Sequence, residues 1–356
     1  MADILGLGLS HYPPLSLPDD RMSGILRYTL EDPAIPAAQK DPANWPDAMR
    51  REWADDGSVA AAATHRGAMV SALAAVRRAL DAFQPDAVLI WGDDQYENFR
   101  EDVVPAFTVC AYPDLDFEPW RQAQRSSMAE GGKPNVWNEG PDKRYRVRGH
   151  QALGRYLAGG LIEAGIDVAY AYRPLHHEGF AHAFGNAILY LDYARAGWPW
   201  PTVTVPINCY GRRVISCKGF LTRFDDPVEF DPPSPSPARC MALGAETARL
   251  LRASPWRVAV IASSSWSHAF LCDQTWRLRP DTVADRALYD AMLAGDYARW
   301  RETPLASFEK AGQQEVLNWC PLLGAMETIG ARLAWSEFVE TAVFNSNKVF
   351  AVYEAA

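Results

Sequence analysis

Short apolar runs of strand length alternate along the chain with segments in which apolar residues recur at helical spacing. The clearest helical patterns cover 65–83, 150–165 and 237–253. The strand-like runs cover 4–9, 87–91, 104–110, 168–172, 203–207 and 258–262. Strands that alternate with helices are typical of a parallel sheet covered on both faces. The pattern therefore predicts an α/β fold, with a mainly parallel central sheet flanked by helices.

Two long stretches, 12–60 and 111–147, lack a sustained period and predict ordered loop excursions over the sheet. Substrate walls are often built from such loops. Near the C-terminus, FVETAVF and KVFAVYE flank the short turn NSN, which predicts an antiparallel β-hairpin at the sheet edge. The 356 residues exceed the usual domain length, yet α/β folds often spend this length on one core. We expect a single catalytic domain over 1–356.

Composition narrows the class of partner. The formal net charge of −9 gives no basic surface for nucleic acid or an anionic membrane, so a small molecule is the expected partner. No apolar run approaches the roughly 20 residues of a membrane span. The six cysteines show no CxxC spacing and are expected to be reduced thiols. Together these features favour a cytoplasmic enzyme.

Polar residues follow the apolar runs at several places. Ligands gather outside the carboxyl ends of the strands in open α/β sheets, so these positions are the first candidates for a site. Five of the seven histidines lie just beyond strand ends, among them His11, His182 and His268. The segments are SHYPP (10–14), GDDQYENF (92–99), LHHEGFAH (175–182), NCYG (208–211) and SSSWSH (263–268). Imidazole is a common metal ligand and a general acid or base at neutral pH.

Other candidates have two interpretations each. In GDDQYENF, Asp94 and Gln95 either offer oxygen ligands to a divalent ion or belong to a turn that caps the next helix. His65 lies at the start of the predicted helix 65–83, where it is either a surface residue or near the carboxyl edge of the sheet. The SSSWSH segment lacks the G-x-S-x-G elbow of a serine hydrolase.

The chain resembles the class III extradiol ring-cleavage dioxygenases, the superfamily of the protocatechuate 4,5-dioxygenase beta chain and the gallate dioxygenases. The resemblance rests on the order of LSHYPPL, PDAVLIWGDDQYENF, GFAHAFGNA, VPINCYG, PSPARCMALG, IASSSWSHAF and AGQQEVLNW over nearly the whole chain. It implies a non-haem Fe(II) held by two histidines and a glutamate, with open positions for a catecholate and dioxygen. It also implies that His11 is a metal ligand and that His182 and His268 are acid/base residues.

The chain departs from that family's pattern at three places. The second iron histidine is replaced by Gln95, in Asp93-Asp94-Gln95. No glutamate stands in 281–285, where the third ligand is expected. The place of His182 is contested by His177 and Glu178. A metal site rebuilt from His11 with Asp94, Gln95 or His65, a site for another divalent metal, and a lost site all remain open.

The leading hypothesis is a metal-dependent dioxygenase of aromatic catabolism, with Fe(II) as cofactor and a small aromatic compound and dioxygen as substrates. It places His11, His65, Asp94 and Gln95 at the metal and His182, His268 and His177 in proton transfer. Two alternatives are non-oxygenase acid/base chemistry on a polar aromatic compound or heterocycle, and a non-catalytic subunit of a heteromeric dioxygenase. Arg212 and Arg213, after NCYG, either meet a substrate carboxylate or are surface residues. A homo-oligomer, most commonly a dimer, is the expected assembly.

Overall fold

An eight-stranded sheet lies at the centre of the computed structural model, which describes residues 3–124, 134–219 and 221–355. The ten strands are β1 (Ile4–Leu9), β2 (Ala87–Asp93), β3 (Thr108–Cys110), β4 (Leu115–Phe117), β5 (Tyr145–Val147), β6 (Ala169–Ala171), β7 (Thr202–Ile207), β8 (Val258–Ser263), β9 (Arg332–Val339) and β10 (Lys348–Glu354). The central sheet has the order β6-β3-β7-β2-β8-β1-β10-β9, and β4 pairs with β5 in a separate sheet. The predicted mixed α/β class with a large, mostly parallel sheet is confirmed.

Four neighbouring strands in the middle of the sheet, β7, β2, β8 and β1, run parallel. Antiparallel strands flank them, because β3 is antiparallel to β7 and β10 is antiparallel to β1. Every residue of these four parallel strands is buried, which is typical of strands covered on both faces. Their carboxyl ends consequently meet at one edge beneath loops.

Twelve α-helices surround the sheet. They are α1 (Gly24–Leu30), α2 (Ala37–Lys40), α3 (Asp47–Trp53), α4 (Val59–Phe83), α5 (Pro119–Gln124), α6 (Gln151–Glu163), α7 (His182–Leu191), α8 (Pro237–Ala253), α9 (Thr282–Leu293), α10 (Tyr297–Glu302), α11 (Leu305–Lys310) and α12 (Trp319–Ile329), counted over the described ranges. Alternation along β2 divides the core: Leu89 and Trp91 pack with α6, α8 and α12, whereas Val88 and Ile90 pack with α4 and α7.

Two glycines of β1 let helix α12 approach the sheet closely. A Cβ added to Gly8 would lie 2.2 Å from the ring of Trp319, and one added to Gly6 would lie 2.3 Å from the sulfur of Met326. Both distances are far below van der Waals contact, so the space is available only to glycine. The two glycines of the segment ILGLGL thus set how closely β1 and α12 approach.

Several predicted bounds need correction. The run 104–110 forms a strand only at Thr108–Cys110. The C-terminal strands do pair in antiparallel fashion, but the first covers Arg332–Val339, so the connection is 340–347 and not the three residues NSN. The sequence predicts the first strand of the hairpin at 338–344, several residues after its actual position, because the apolar spacing of this segment resembles that of a strand. Val343 and Phe344 are instead buried residues of the connection.

The two predicted excursions contain short elements of their own. The stretch 12–60 carries α1, α2 and α3, and the stretch 111–147 carries β4, α5 and β5; residues 125–133 lie outside the described part of the chain. Helix α4 is long and apolar enough to cross a membrane by length and composition alone. One face of this helix packs against β1, β10 and α7.

Candidate metal centre

The carboxyl ends of the four parallel strands bring the polar segments together. Leu9 at the end of β1 pairs with Ser263 at the end of β8, and Asp93 at the end of β2 pairs with Ile207 at the end of β7. His11 follows β1, Tyr210 follows β7 and His268 follows β8. The edge predicted from the sequence is therefore where these side chains meet.

Hydrogen bonds fix the tautomer of His11. Its Nδ1 lies 3.1 Å from Ser263 Oγ, and that hydroxyl donates its only hydrogen to the carbonyl of Ala183 at 2.7 Å. Ser263 must then accept from His11, so Nδ1 carries the proton and Nε2 presents a lone pair. Burial, with the nearby charges of His182 and His268, holds the pKa of His11 well below its usual value. A neutral imidazole with an oriented Nε2 is the form that binds metals.

Asp93, and not Asp94, lies beside His11 at this centre. One donor atom each from His11, Asp93 and His182 lies within 4.8 Å of the other two. The Asp93 carboxylate accepts from Asn318 Nδ2 at 3.1 Å and from Gln95 Nε2 at 3.0 Å. Burial raises the pKa of Asp93, since an ionised carboxylate is costly in a dry environment.

Asp94 points away from the centre and stabilises a turn. Its carboxylate accepts from the backbone N–H groups of Glu97, Asn98 and Phe99 at 3.0–3.2 Å. Side chains alternate along a strand, so consecutive residues at its end face opposite sides. The geometry thus favours the turn interpretation of Asp94 over the expectation that it is a metal ligand.

Glu315 is the residue at this centre that the sequence did not indicate. It lies in a 3₁₀ turn, Gln314–Asn318, and is fully buried. Its Oε2 lies 3.7 Å from His11 Nε2, and its Oε1 lies 3.3 Å from His268 Nε2. Burial and the charge of Asp93 raise the pKa of Glu315 well above its usual value. A glutamate is therefore present, although no glutamate stands in 281–285.

Gln95 and Tyr210 bind the Glu315 carboxylate from the other side. Tyr210 Oη donates to Glu315 Oε1 at 2.6 Å. Gln95 Nε2 lies 3.0 Å from the same oxygen, 3.0 Å from Asp93 and 2.7 Å from Tyr210 Oη. Three oxygens around one amide atom identify it as the nitrogen, which donates. In this arrangement Gln95 orients the two carboxylates and does not offer its oxygen to a metal.

His182 forms a half-buried ion pair with Glu97. The two side chains are joined at 2.9 Å through Nδ1, and Glu97 also accepts from the His182 backbone N–H at 2.9 Å. Burial alone would lower the pKa of His182, but Glu97, assisted by Asp93 and Glu315, raises it to about 10. His182 begins helix α7 and its ring contacts that of His11 edge-on at 5.1 Å. The structure thus brings His182, the contested histidine, to the centre.

His268 has the opposite electrostatic character. It is almost fully buried, and burial, with the charge of Lys348, lowers its pKa to about 3. Its backbone N–H donates to the carbonyl of Gly312 at 2.7 Å, which ties the β8 loop to the segment that carries Glu315. One histidine of the site is consequently held neutral and another, His182, is held as a cation.

The charges of the cluster leave room for a divalent cation. Asp93 and Glu315 are buried carboxylates, Glu97 is half-buried, and His182 pairs with Glu97 and lies within 4.8 Å of Asp93. With the Glu97–His182 pair neutral, Asp93 and Glu315 would carry two uncompensated negative charges if both were ionised, and burial raises the pKa of each for that reason. Buried charges need a proton, a partner or a metal. The donor set fits a metal because one imidazole nitrogen and two carboxylates suit Fe(II), Mn(II) or a similar ion.

Other predicted residues lie outside this cluster. His65 is in the second turn of α4, on its buried face, and its ring packs against Tyr12 and Phe344. The structure does not bring it to His11, because α4 begins at Val59 and its inward face belongs to the core. His177 lies close enough to Glu97 for that carboxylate to raise its pKa, although burial lowers it overall.

Asp285 supports the centre from a distance. Its carboxylate accepts from the backbone N–H of Ser267 at 3.1 Å, from Gln313 Nε2 at 2.7 Å and from Asn347 Nδ2 at 2.8 Å. Ser267 precedes His268, and Gln313 lies two residues before Glu315. The segment 281–285, where a ligand was expected, thus contributes a buried carboxylate that joins the loops carrying two site residues.

Comparison of the chain with protein-family models and with curated proteins finds no match.

Proposed function

We propose that the protein is a metal-dependent, ring-opening dioxygenase of small aromatic compounds. The observation that carries this proposal is the convergence of the His11 Nε2 lone pair, the Asp93 carboxylate and the Glu315 carboxylate, with one histidine on either side. A second support is the resemblance to class III extradiol dioxygenases, since Glu315 lies in AGQQEVLNW, one of the segments on which that resemblance rests. The six free thiols favour a reducing, cytoplasmic compartment.

His11, Asp93 and Glu315 would hold the metal, and His182, which is held as a cation, lies beside His11 and Asp93 as a flanking group and not as a ligand. A bound Fe(II) would supply the electron transfer between a catecholate and dioxygen that ring cleavage needs. Donor atoms on one metal stand roughly 3 to 4.4 Å apart, so the cluster needs only a small contraction to bind one. Gln95 and Tyr210 keep the carboxylates oriented toward the centre by donating to them.

The two flanking histidines divide the proton transfers. His268 is neutral and can accept a proton from a substrate hydroxyl. His182 is cationic and can donate a proton to a developing carboxylate or enolate, with Glu97 stabilising its charge. Two titratable groups whose surroundings separate their pKa values are the usual arrangement for an acid and a base in one site.

The test is anaerobic loading of the purified protein with Fe(II), followed by oxygen uptake with catechol, 3,4-dihydroxybenzoate and gallate. Stoichiometric iron and oxygen uptake with a ring-opened product are expected, and His11→Ala should lower the rate at least about a thousandfold. His176→Ala is the matched control, because His176 is partly exposed and pairs with Asp102. Failure to bind any divalent metal, or equal losses in both variants, would overturn the proposal.

One observation favours a second candidate, acid/base chemistry without oxygen on a polar aromatic compound. The Gln95 amide donates to both carboxylates, so the centre is already partly satisfied without a metal. Turnover of a hydroxylated aromatic compound under strictly anaerobic conditions, unaffected by chelators, would support this candidate against the dioxygenase.

A further inference from the structure

Strand β6 forms one outer edge of the central sheet, and its backbone is open on that side. Ala169 donates its N–H to the carbonyl of Phe107 at 2.9 Å, and the carbonyl of Ala171 accepts from the next strand at 2.8 Å. Both alanines therefore turn their backbone groups toward β3, so the N–H and C=O of Tyr170 between them point away from the sheet. Because β6 is the last strand in the order, no strand of the described chain pairs with Tyr170. Such an edge can accept another strand.

Large apolar side chains are exposed around this edge. Ten such side chains are exposed among the described residues, and the five that surround β6 are Val103, Ile162, Tyr170, Tyr172 and Leu175. The rings of Tyr170 and Tyr172 contact each other at 5.8 Å. Half of the exposed large apolar side chains thus lie in one region, and a concentration of this kind is typical of a surface that binds another protein.

Neighbouring elements join these side chains into one patch. On one side, the guanidinium of Arg155 in α6 lies 5.0 Å from the centre of the Tyr172 ring. Ile162 follows Arg155 by two turns on the same face of α6. On the other side, the 2.9 Å contact between Asp102 and His176 joins the segments that carry Val103 and Leu175. The patch therefore extends from α6 across β6 to the loops that flank this strand.

The opposite edge strand, β9, is protected within the chain. None of its eight residues, all within the described part of the chain, is an exposed large apolar side chain. Arg332 at its start pairs with Glu354 of β10 at 3.7 Å, and Glu340 directly after it pairs with Arg286 at 2.8 Å. The Arg286 guanidinium also lies 4.0 Å from the centre of the Phe338 ring. Of the two sheet edges, β6 is thus the one left uncovered.

The charges at the two ends of β6 fit a second copy of the same strand. Asp167 precedes β6 and Arg173 follows it, and both are exposed without an ion pair to any described residue. The two residues are equally far along the chain from Tyr170. An antiparallel pair of β6 strands about a two-fold axis at Tyr170 therefore brings Asp167 of each copy to the end that carries Arg173 of the other.

We infer that β6 is a dimerisation edge, on which a second copy of this chain adds its own β6 in antiparallel fashion. The two Tyr170 residues face each other and exchange both N–H···O bonds, as in the hydrogen-bonded pair of an antiparallel ladder. The two eight-stranded sheets then become continuous, and the apolar patches of both copies are buried. The inference goes beyond the proposed function and uses no residue of the metal centre.

Sedimentation velocity of the full-length protein from about 1 to about 100 µM tests the inference, and the wild-type protein should dimerise in this range. Tyr170→Pro removes the outward N–H and keeps both hydrogen bonds to β3, so it should raise the dimer Kd at least about tenfold. Asp167→Arg should weaken the dimer similarly, because it places like charges at each end. Adding Arg173→Asp to that variant should restore the dimer to within about threefold of wild type.

Leu293→Lys is the matched control for Tyr170→Lys, because the two side chains are 51% and 55% exposed and Leu293 lies on α9. Tyr170→Lys should raise the dimer Kd at least about tenfold, and Leu293→Lys should change it by less than about twofold. Thermal unfolding of each variant establishes that the fold is retained. A wild-type protein that stays monomeric, a dimer that Tyr170→Pro leaves intact, or equal losses in the two lysine variants would overturn the inference.

Discussion

Two clusters near β1 each contain at least one histidine, and they differ in how their polar groups are satisfied. In the strand-end cluster (His11, Asp93, His182, Glu315), lone pairs and carboxylates face one another. In the Lys348 cluster (Tyr12, His65, Phe344, Lys348), the ammonium donates to the carbonyls of Phe344 and Ser346 and lies 3.7 Å from the centre of the Tyr12 ring. A buried histidine alone therefore does not indicate a metal site. Several acceptor atoms that converge on one point are a stronger indication.

The largest effect should come from Asp93→Asn. Removing one of two uncompensated carboxylates should lower the affinity for Fe(II) or Mn(II) at least about a hundredfold. In metal-free protein the same change should raise the free energy of unfolding by on the order of 1–2 kcal/mol, because a buried charge is lost. Metal titration and urea unfolding in chelator measure the two quantities. An unchanged metal affinity together with a lower free energy of unfolding would mean that Asp93 serves folding and not a cation.

The next effect concerns pH and the Glu97–His182 pair. The pKa of His182 is raised to about 10 in the folded protein, so its contribution to stability is complete below about pH 6.5 and is lost as pH rises toward 10. Glu97 has a lowered pKa, and its contribution is lost as pH falls below its ordinary range. Glu97→Gln should remove on the order of 2 kcal/mol near pH 6 and flatten the decline above pH 6.5.

Urea unfolding of metal-free protein between pH 5 and pH 10 measures this dependence. The matched control is Asp192→Asn at the opposite end of helix α7, where Asp192 accepts from the Gly197 backbone N–H. That variant should keep the wild-type slope. A Glu97→Gln protein with an unchanged slope would show that His182 does not titrate with this partner.

The smallest effect should come from His65→Phe in the Lys348 cluster. His65 Nε2 is buried without a hydrogen-bond partner among the described residues, and its ring packs against Phe344 at 4.9 Å. A phenyl ring should therefore leave stability within about 1 kcal/mol of wild type or raise it. Metal affinity should stay within about twofold, measured in the same titration as for Asp93→Asn. A large loss of metal affinity would show that His65 also contributes to metal binding, contrary to the difference proposed between the two clusters.

The strand ends were predictable because apolar runs mark buried strands, and parallel strands end together. Asp93 could also have been predicted from the alternation of residues along β2. Leu89, Trp91 and Asp93 alternate onto the same face of β2, and the strand extends to Asp93 itself. His65 was misplaced because α4 begins six residues earlier than the pattern predicts, which turns His65 from a helix start into a core position.

Glu315 could not be placed from periodicity. It lies in a short 3₁₀ turn, with neither strand alternation nor a sustained helical period, and reaches the centre through the packing of the following helix α12. The segment AGQQEVLNW, one of those on which the resemblance to the dioxygenases rests, contains Glu315, but that resemblance implies the third ligand in 281–285. Tertiary contacts between distant segments, such as His268 with Glu315, decide such positions.

Gly8 in β1 limits which residues this strand can accept, because its contact with helix α12 affects the position of Glu315 at the centre. Even the smallest side chain there would displace the Trp319 ring, which begins helix α12 directly after the turn that carries Glu315. A substitution of Gly8 should therefore displace the Glu315 carboxylate even where the protein still folds. An attempt to redesign the centre would have to keep Gly8 fixed, although Gly8 contributes no side chain to it.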